Sequence, residues 1–208
     1  MPEFDYSPFW TFGDAWTPGA VRVLWTDWTP DRSQSRQRLQ WTKDVCSGRL
    51  IPEHPLPFQQ KSGRVWSDWI GSDFLFALVS ERFAGVLRKL SATGWGVYPV
   101  QLLARDGSSV SGYHGFSITS TAEAADHLSQ AMIRPPDNSG GSARSVWRGL
   151  YWKPETWDGS DIFRVAGQLV CTERVYAALV AANLKNVACV RVTEWEREWS
   201  IARRADRV

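Results

Sequence analysis

The sequence predicts an α+β fold with two duplicated strand–helix–strand units, a central β-hairpin and a Trp-rich N-terminal segment. Two observations lead there. The first is an internal repeat: Trp69-Ile70-Gly71-Ser72-Asp73 and Trp157-Asp158-Gly159-Ser160-Asp161 share W-x-G-S-D ahead of an apolar residue. Ser80-Glu81-Arg82 and Thr172-Glu173-Arg174 follow them, and the offset grows from 88 to 92 residues, placing four extra residues around Arg164 to Gln168. The second is periodicity: Phe83, Val86, Leu87 and Leu90 form one helical stripe, and Val175, Ala178, Leu179 and Ala182 form its counterpart.

In chain order, residues 20–25 (AVRVLW) read as a strand and residues 31–43 (DRSQSRQRLQWTK) as a solvated loop or helix face. Ile51 to Phe58 read as an extended, proline-rich linker. In each unit Ser80 or Thr172 is expected to cap the helix through its hydroxyl, with Glu81 or Glu173 at the positive end of the helix dipole. Gly94 and Asn186, types that tolerate left-handed backbone, are expected at the helix ends. Strands follow over Trp95 to Leu103 and Val187 to Val192. Tyr98 to Ala104 and Val110 to Ile118 flank an Asp106-Gly107 turn, a hairpin signal. Residues 122–133 read as a helix, Pro135 to Arg144 as a mobile loop, and the mixed-charge tail after Glu194 as an exposed helix. A single domain over 1–208 is expected: a Trp-rich segment at 1–64, the first unit with hairpin and helix at 65–134, and the second unit with the tail at 145–208.

The 208 residues carry 24 basic and 22 acidic side chains, so no broad basic field points to nucleic acid. Charge is local: residues 1–30 hold one basic and four acidic groups, and residues 31–64 hold seven and three. No apolar run approaches the ~20 residues of a membrane helix. The opening MPEFDYSPFW is acidic where a signal peptide is basic, and three cysteines without a CxxC pair fit a reducing cytoplasm. The 13 tryptophans are the outlier. At ~200 Å² each they amount to roughly 2,600 Å², while a fold of this mass buries on the order of 24,000 Å², so the core can hold them all. Seven lie before residue 70, and if tryptophans meet a partner, some of those seven are expected among them.

Catalytic chemistry is hard to find. His54, His114 and His127 lack metal-ligand spacing, and no GxSxG, SxxK or phosphate-loop motif is present, so neither metal nor cofactor is expected. Gly94-Trp95-Gly96 follows a helix instead of opening one. Asp73 and Asp161 are the most enzyme-like residues, as carboxylates facing one another across a cleft. The competing reading has each closing a local turn through backbone N–H bonds, the same structural job done twice. Cys171, ahead of a helix but in an apolar run, is expected to be buried.

Three segments together resemble a bacterial family of immunity proteins from polymorphic toxin systems, long catalogued as a domain of unknown function. They are SERFAGVLRKLSATGWGVYPV, the return GYHGFSIT, and WDGSDIF followed by TERVYAALVAANLKNV, within about residues 65–193. The resemblance implies a cytoplasmic, non-enzymatic protein that binds and blocks a cognate toxin domain, generally encoded next door. It carries over no catalytic residue. Trp157, Asp158, Gly159, Ser160, Asp161 and Phe163, with Trp69, Gly71, Ser72 and Asp73 in the first copy, form an architectural signature. The interface is expected where indoles and carboxylates combine outside the repeat: Trp25, Asp27 and Trp28, and Glu194, Trp195 and Glu198. The alternatives are a hydrolase or transferase using Asp73 and Asp161, or a carbohydrate-binding module with coplanar exposed indoles.

Overall fold

The computed structural model describes residues 4–26, 35–72, 75–125, 130–134 and 144–198. Strands β1 (Phe9–Asp14) and β2 (Arg22–Trp25) precede helix α1 (Ser35–Cys46). Strands β3 (Leu56–Ser62), β4 (Trp69–Gly71) and β5 (Ala77–Ser80) lead into helix α2 (Glu81–Lys89). Next come β6 (Trp95–Tyr98), β7 (Val100–Leu103), β8 (Ser109–Val110), β9 (Tyr113–Ile118) and β10 (Thr121–Ala122). Then follow β11 (Gln130–Arg134) and β12 (Arg144–Arg148). After a 3-10 turn at Pro154–Thr156, β13 (Ile162–Val165) and β14 (Gln168–Thr172) feed helix α3 (Glu173–Ala181), followed by β15 (Val187–Arg191) and β16 (Glu196–Glu198). The content is mixed α+β. No described helix is long and apolar enough to cross a membrane.

The described residues form four sheets, with orders β10-β13-β14-β1-β15, β4-β5-β9-β6, β2-β3-β7-β8 and β11-β12-β16. Strand β1 lies between β14 and β15, antiparallel to both, so the N-terminal segment is woven into the sheet of the last third. Three hydrophobic clusters fill the space. One joins Val21, Val23, Phe58, Leu78 and Leu102 with Val45 of α1. The second joins Phe83 and Leu87 of α2 to Val175 and Leu179 of α3, over Phe12, Trp69, Phe116 and Ile162. The third surrounds Trp152 with Phe9, Phe163, Val165 and Val192. The stripes read from helical spacing thus meet each other across the second cluster.

Several expectations need correction. The helix expected over 122–133 is absent where that stretch is described: Thr121–Ala122 and Gln130–Arg134 are strands, and 126–129 lie outside the described residues. Pairing of β11 along β12 overrides a helix-favouring composition there. The tail after Glu194 forms β16 instead of a helix as far as it is described; its Glu-Arg-Glu alternation sets Glu196 opposite Arg148 and Arg197 opposite Trp147. The linker expected over Ile51 to Phe58 gives way at Leu56, whose side chain is buried with that of Phe58 inside β3, paired to β2 and β7. The single strand expected from Trp95 to Leu103 breaks at Pro99, which has no N–H for a ladder. β6 joins β9 and β7 joins β3. The loop expected at 135–144 lies outside the described residues except for Arg144, the first residue of β12.

The caps divide. Ser80 Oγ accepts from Phe83 N at 3.1 Å as expected, but Thr172 makes no side-chain cap. The left-handed residues that directly follow the helix C-caps are Ser91 (φ 51) and Asn183 (φ 48). Gly94 (φ 84) and Asn186 (φ 62) close the turn beyond them.

Tyr98 illustrates a tight fit. Its ring lies on Gly115, its cross-strand partner, where a Cβ would collide with the ring. Its hydroxyl is buried with no hydrogen-bond partner among the described residues, and burial drives its pKa well above the ordinary value. A buried, unmatched hydroxyl is unfavourable, so Tyr98→Phe is expected to leave stability unchanged or raise it by up to about 1 kcal/mol, read from a urea unfolding curve.

Candidate partner-binding cleft

Two aspartates fasten the surroundings of α2 and α3 to one another. Asp161 sits just before β13, buried at 6% exposure. Its carboxylate accepts from Thr93 N at 2.9 Å, Thr93 Oγ1 at 3.0 Å, Thr172 Oγ1 at 3.2 Å and the Arg174 guanidinium. Burial alone would raise the pKa of this carboxyl, but the Arg174 and Thr93 bonds outweigh it and hold the value at about 2. Thr93 lies just beyond α2, and Arg174 of α3 also donates to Leu90 O at the end of α2.

Asp68, before β4, is the mirror of this arrangement. It accepts from Ser80 Oγ at 2.6 Å, Lys185 N at 2.7 Å and Arg82 Nη1 at 3.4 Å. Arg82 of α2 donates in turn to Ala182 O at the end of α3. Asp161 and Arg174 therefore grip the residues at the end of α2, and Asp68 and Arg82 those at the end of α3.

Beside this clasp a cleft of about 290 Å³ opens between Phe12 and Asp14 of β1, Trp69 and Gly71 of β4, and Arg164 and Leu169 of β13 and β14. It shares Leu75, Ile118, Arg164 and Gly167 with an adjoining pocket of about 320 Å³. The charged residues lining that pocket are Lys43, Arg49 and Arg164, with no acid among them. Cys46, whose thiol burial pushes up to about 12, also lines it.

Trp16 stands in the wall of the first cleft, 75% exposed and in left-handed backbone (φ 53). Its N–H donates to Asp14 Oδ1 at 2.8 Å, and the Arg22 guanidinium stacks 3.7 Å from its ring centroid. Arg22 is ion-paired to Asp14 at 2.5 Å. A Cβ on Gly71 would strike this ion pair, so that glycine makes room for the support of Trp16. A larger depression, about 540 Å³, is lined by Trp25, Trp41, Leu50, Ile51 and Leu56 together with both Arg38 and Glu53.

The chain matches the model of the Immunity protein family (Imm11) over residues 25–194. The chain belongs to that family. A search of curated proteins found no match. The Imm11 span includes both clasp aspartates, all three described α-helices and Lys43, Arg49, Leu75 and Arg164, whereas β1 and Trp16 precede it.

Within the Imm11 fold the sequence-derived residues scatter. Trp25 is 7% exposed and stacks on Trp41 at 5.7 Å in the first cluster, so it is a core residue and not the exposed indole expected. Asp27, Trp28 and Asp73 lie outside the described residues. Glu194 is exposed, Trp195 is half-buried against the third cluster, and Glu198 lies in β16 opposite Val146. Trp25 and Trp195 thus belong to different clusters and make no common patch.

The signature residues serve packing and turns. Trp69 is buried in β4, whereas Trp157 lies in the turn before β13 with Nε1 donating to Ser160 O at 3.0 Å, so the two indoles are not equivalent. Asp158 accepts from Ser120 Oγ at 2.7 Å and Ser160 N at 3.0 Å around Gly159 (φ 82). Ser72 Oγ donates to Phe76 O, and Phe163 is fully buried. Sequence reasoning missed Asp68, Trp16 and Arg164. For Asp68 a signal existed: Ser67-Asp68-Trp69-Ile70 parallels Ser160-Asp161-Ile162-Phe163.

Proposed function

We propose that this chain neutralises a cognate toxin domain, encoded beside it, by forming a tight and non-enzymatic protein complex in the cytoplasm of the producing bacterium. The observation that carries the reading is the Imm11 match across most of the chain. Other observations support it. Asp161, the described half of the candidate carboxylate pair, is held ionised by Arg174 and Thr93, which disfavours its acting as a general acid. Cys46 and Cys189 are pushed to about 12 and about 11 by burial, away from nucleophilic thiolates. A sugar-binding platform needs several coplanar exposed indoles; among the described tryptophans Trp16 alone is exposed. Of the surface suggested by sequence, Trp25 is buried, Glu194 is exposed and Trp195 half-buried, while Asp27 and Trp28 lie outside the described residues.

Expressed together with the C-terminal domain of the neighbouring toxin, the chain is expected to elute from size exclusion as one complex of constant stoichiometry. Separate elution of the two proteins at micromolar concentration would remove the reading.

A further inference from the structure

We propose that the joined cleft is the docking site for the toxin domain: an acidic side chain of that domain meets Arg164, and its apolar neighbours pack on Trp16 and Leu75. This rests on the immunity reading above and adds the face and the chemistry of the contact.

Arg164 carries the charge argument. It lines both parts of the cleft from β13, and its guanidinium donates to Gly167 O at 3.4 Å. Arg22, Arg49, Arg82, Arg88 and Arg174 each have a carboxylate partner, but Arg164 has none among the described residues. Burial disfavours its charge, yet a guanidinium stays protonated at any physiological pH. A half-buried cation without a counter-charge is an unfavourable arrangement that a partner carboxylate would relieve. Lys43 and Arg49 add positive potential on the same pocket; Arg49 is offset by Asp44 at 2.6 Å, and Lys43 has no carboxylate partner among the described residues.

Trp16 and Leu75 carry the apolar argument. Left-handed backbone at a non-glycine residue persists only when its surroundings enforce it, and here the Asp14–Arg22 pair does so. The outcome is a large indole held out in water, on a cleft that Leu75, itself 51% exposed, also lines. An exposed, pre-ordered Trp and an Arg with no described counter-charge, lining one cleft, give the composition of an interface hot spot. Charge complementarity selects the occupant: an acidic surface of the toxin, instead of a basic or neutral one.

The test is calorimetric titration of the full chain with the purified C-terminal toxin domain. Arg164→Gln and Trp16→Ala are each expected to weaken binding about 30-fold or more, with melting temperatures close to wild type. Lys43→Glu, at an exposed site in the last turn of α1, is expected to slow association and remove part of the salt dependence. Arg164→Glu should lose binding, and an Asp or Glu to Lys change in the toxin should restore it. Unchanged binding by Arg164→Gln and Trp16→Ala, with loss by Glu194→Lys, would overturn the cleft while leaving the immunity reading intact. No binding by wild type would overturn both. Equal loss of binding to a single-stranded oligonucleotide by the same variants, with toxin binding unaffected, would assign the cleft to nucleic acid and overturn the proposal.

Discussion

Asp161→Asn is expected to lower the unfolding free energy by about 2–4 kcal/mol, which for a chain of this size moves the melting temperature down by roughly 5–15 °C. The amide cannot accept everything the carboxylate does. It leaves the Arg174 guanidinium without its counter-charge and the Thr93 and Thr172 donors under-supplied, so α2 and α3 lose one of two reciprocal fasteners. Arg174→Met should cost less, about 1–2 kcal/mol, because Asp161 keeps its bonds to Thr93 and Thr172 and the guanidinium is half exposed. The same carboxylate sets an acid limit. Its folded value of about 2 lies below its ordinary 3.8. Its contribution is complete above pH ~4 and disappears as the pH falls through about 2. Urea unfolding of wild type between those pH values should lose stability more steeply than Asp161→Asn. Parallel pH profiles would mean that the clasp contributes nothing.

Gly94→Ala is the second large effect, expected at about 3 kcal/mol or more. Two causes add. The position is left-handed (φ 84), which disfavours any Cβ by roughly 1–2 kcal/mol, and that Cβ would overlap Ile162 O and lie 2.8 Å from Ser160 Cβ. Gly107 provides the comparison. It has the same φ of 84 in the Asp106–Gly107 turn, but nothing lies within 4 Å of a Cβ there. Gly107→Ala should therefore show the backbone effect alone, about 1 kcal/mol. Equal urea midpoints for the two variants would mean that the approach of α2's exit turn to β13 is not tight.

Helical periodicity was the most legible part of the chain. The stripes through Phe83 and Val175 set which faces are buried, and both fall in the shared core. Ser80 was readable as a cap because an N-cap is a local property; Thr172 donates to Asp161 as Ser80 does to Asp68, yet makes no cap bond to its own helix. The segment 122–133 misled because helix propensity is a weak local preference, and a partner strand arriving from Arg144–Arg148 decides the outcome. The W-x-G-S-D match was correct as a string and misaligned as a structure. It set Asp73 against Asp161, whereas the residue that holds Asp161's place in the clasp is Asp68. The shorter match Ser-Asp-apolar-apolar keeps a nearly constant offset through the helix starts and needs no four-residue insertion. The cleft was illegible because Trp16, Leu75, Lys43 and Arg164 come from four separate stretches, and nothing local says that they converge.

Titrating a fixed amount of the toxin domain with this chain, and reading residual toxin activity, tests the central claim most directly. Sequestration predicts a linear loss that reaches zero at a constant molar ratio and does not deepen with incubation time. Complete inactivation by a few hundredths of an equivalent, progressing with time, would show turnover and contradict the account.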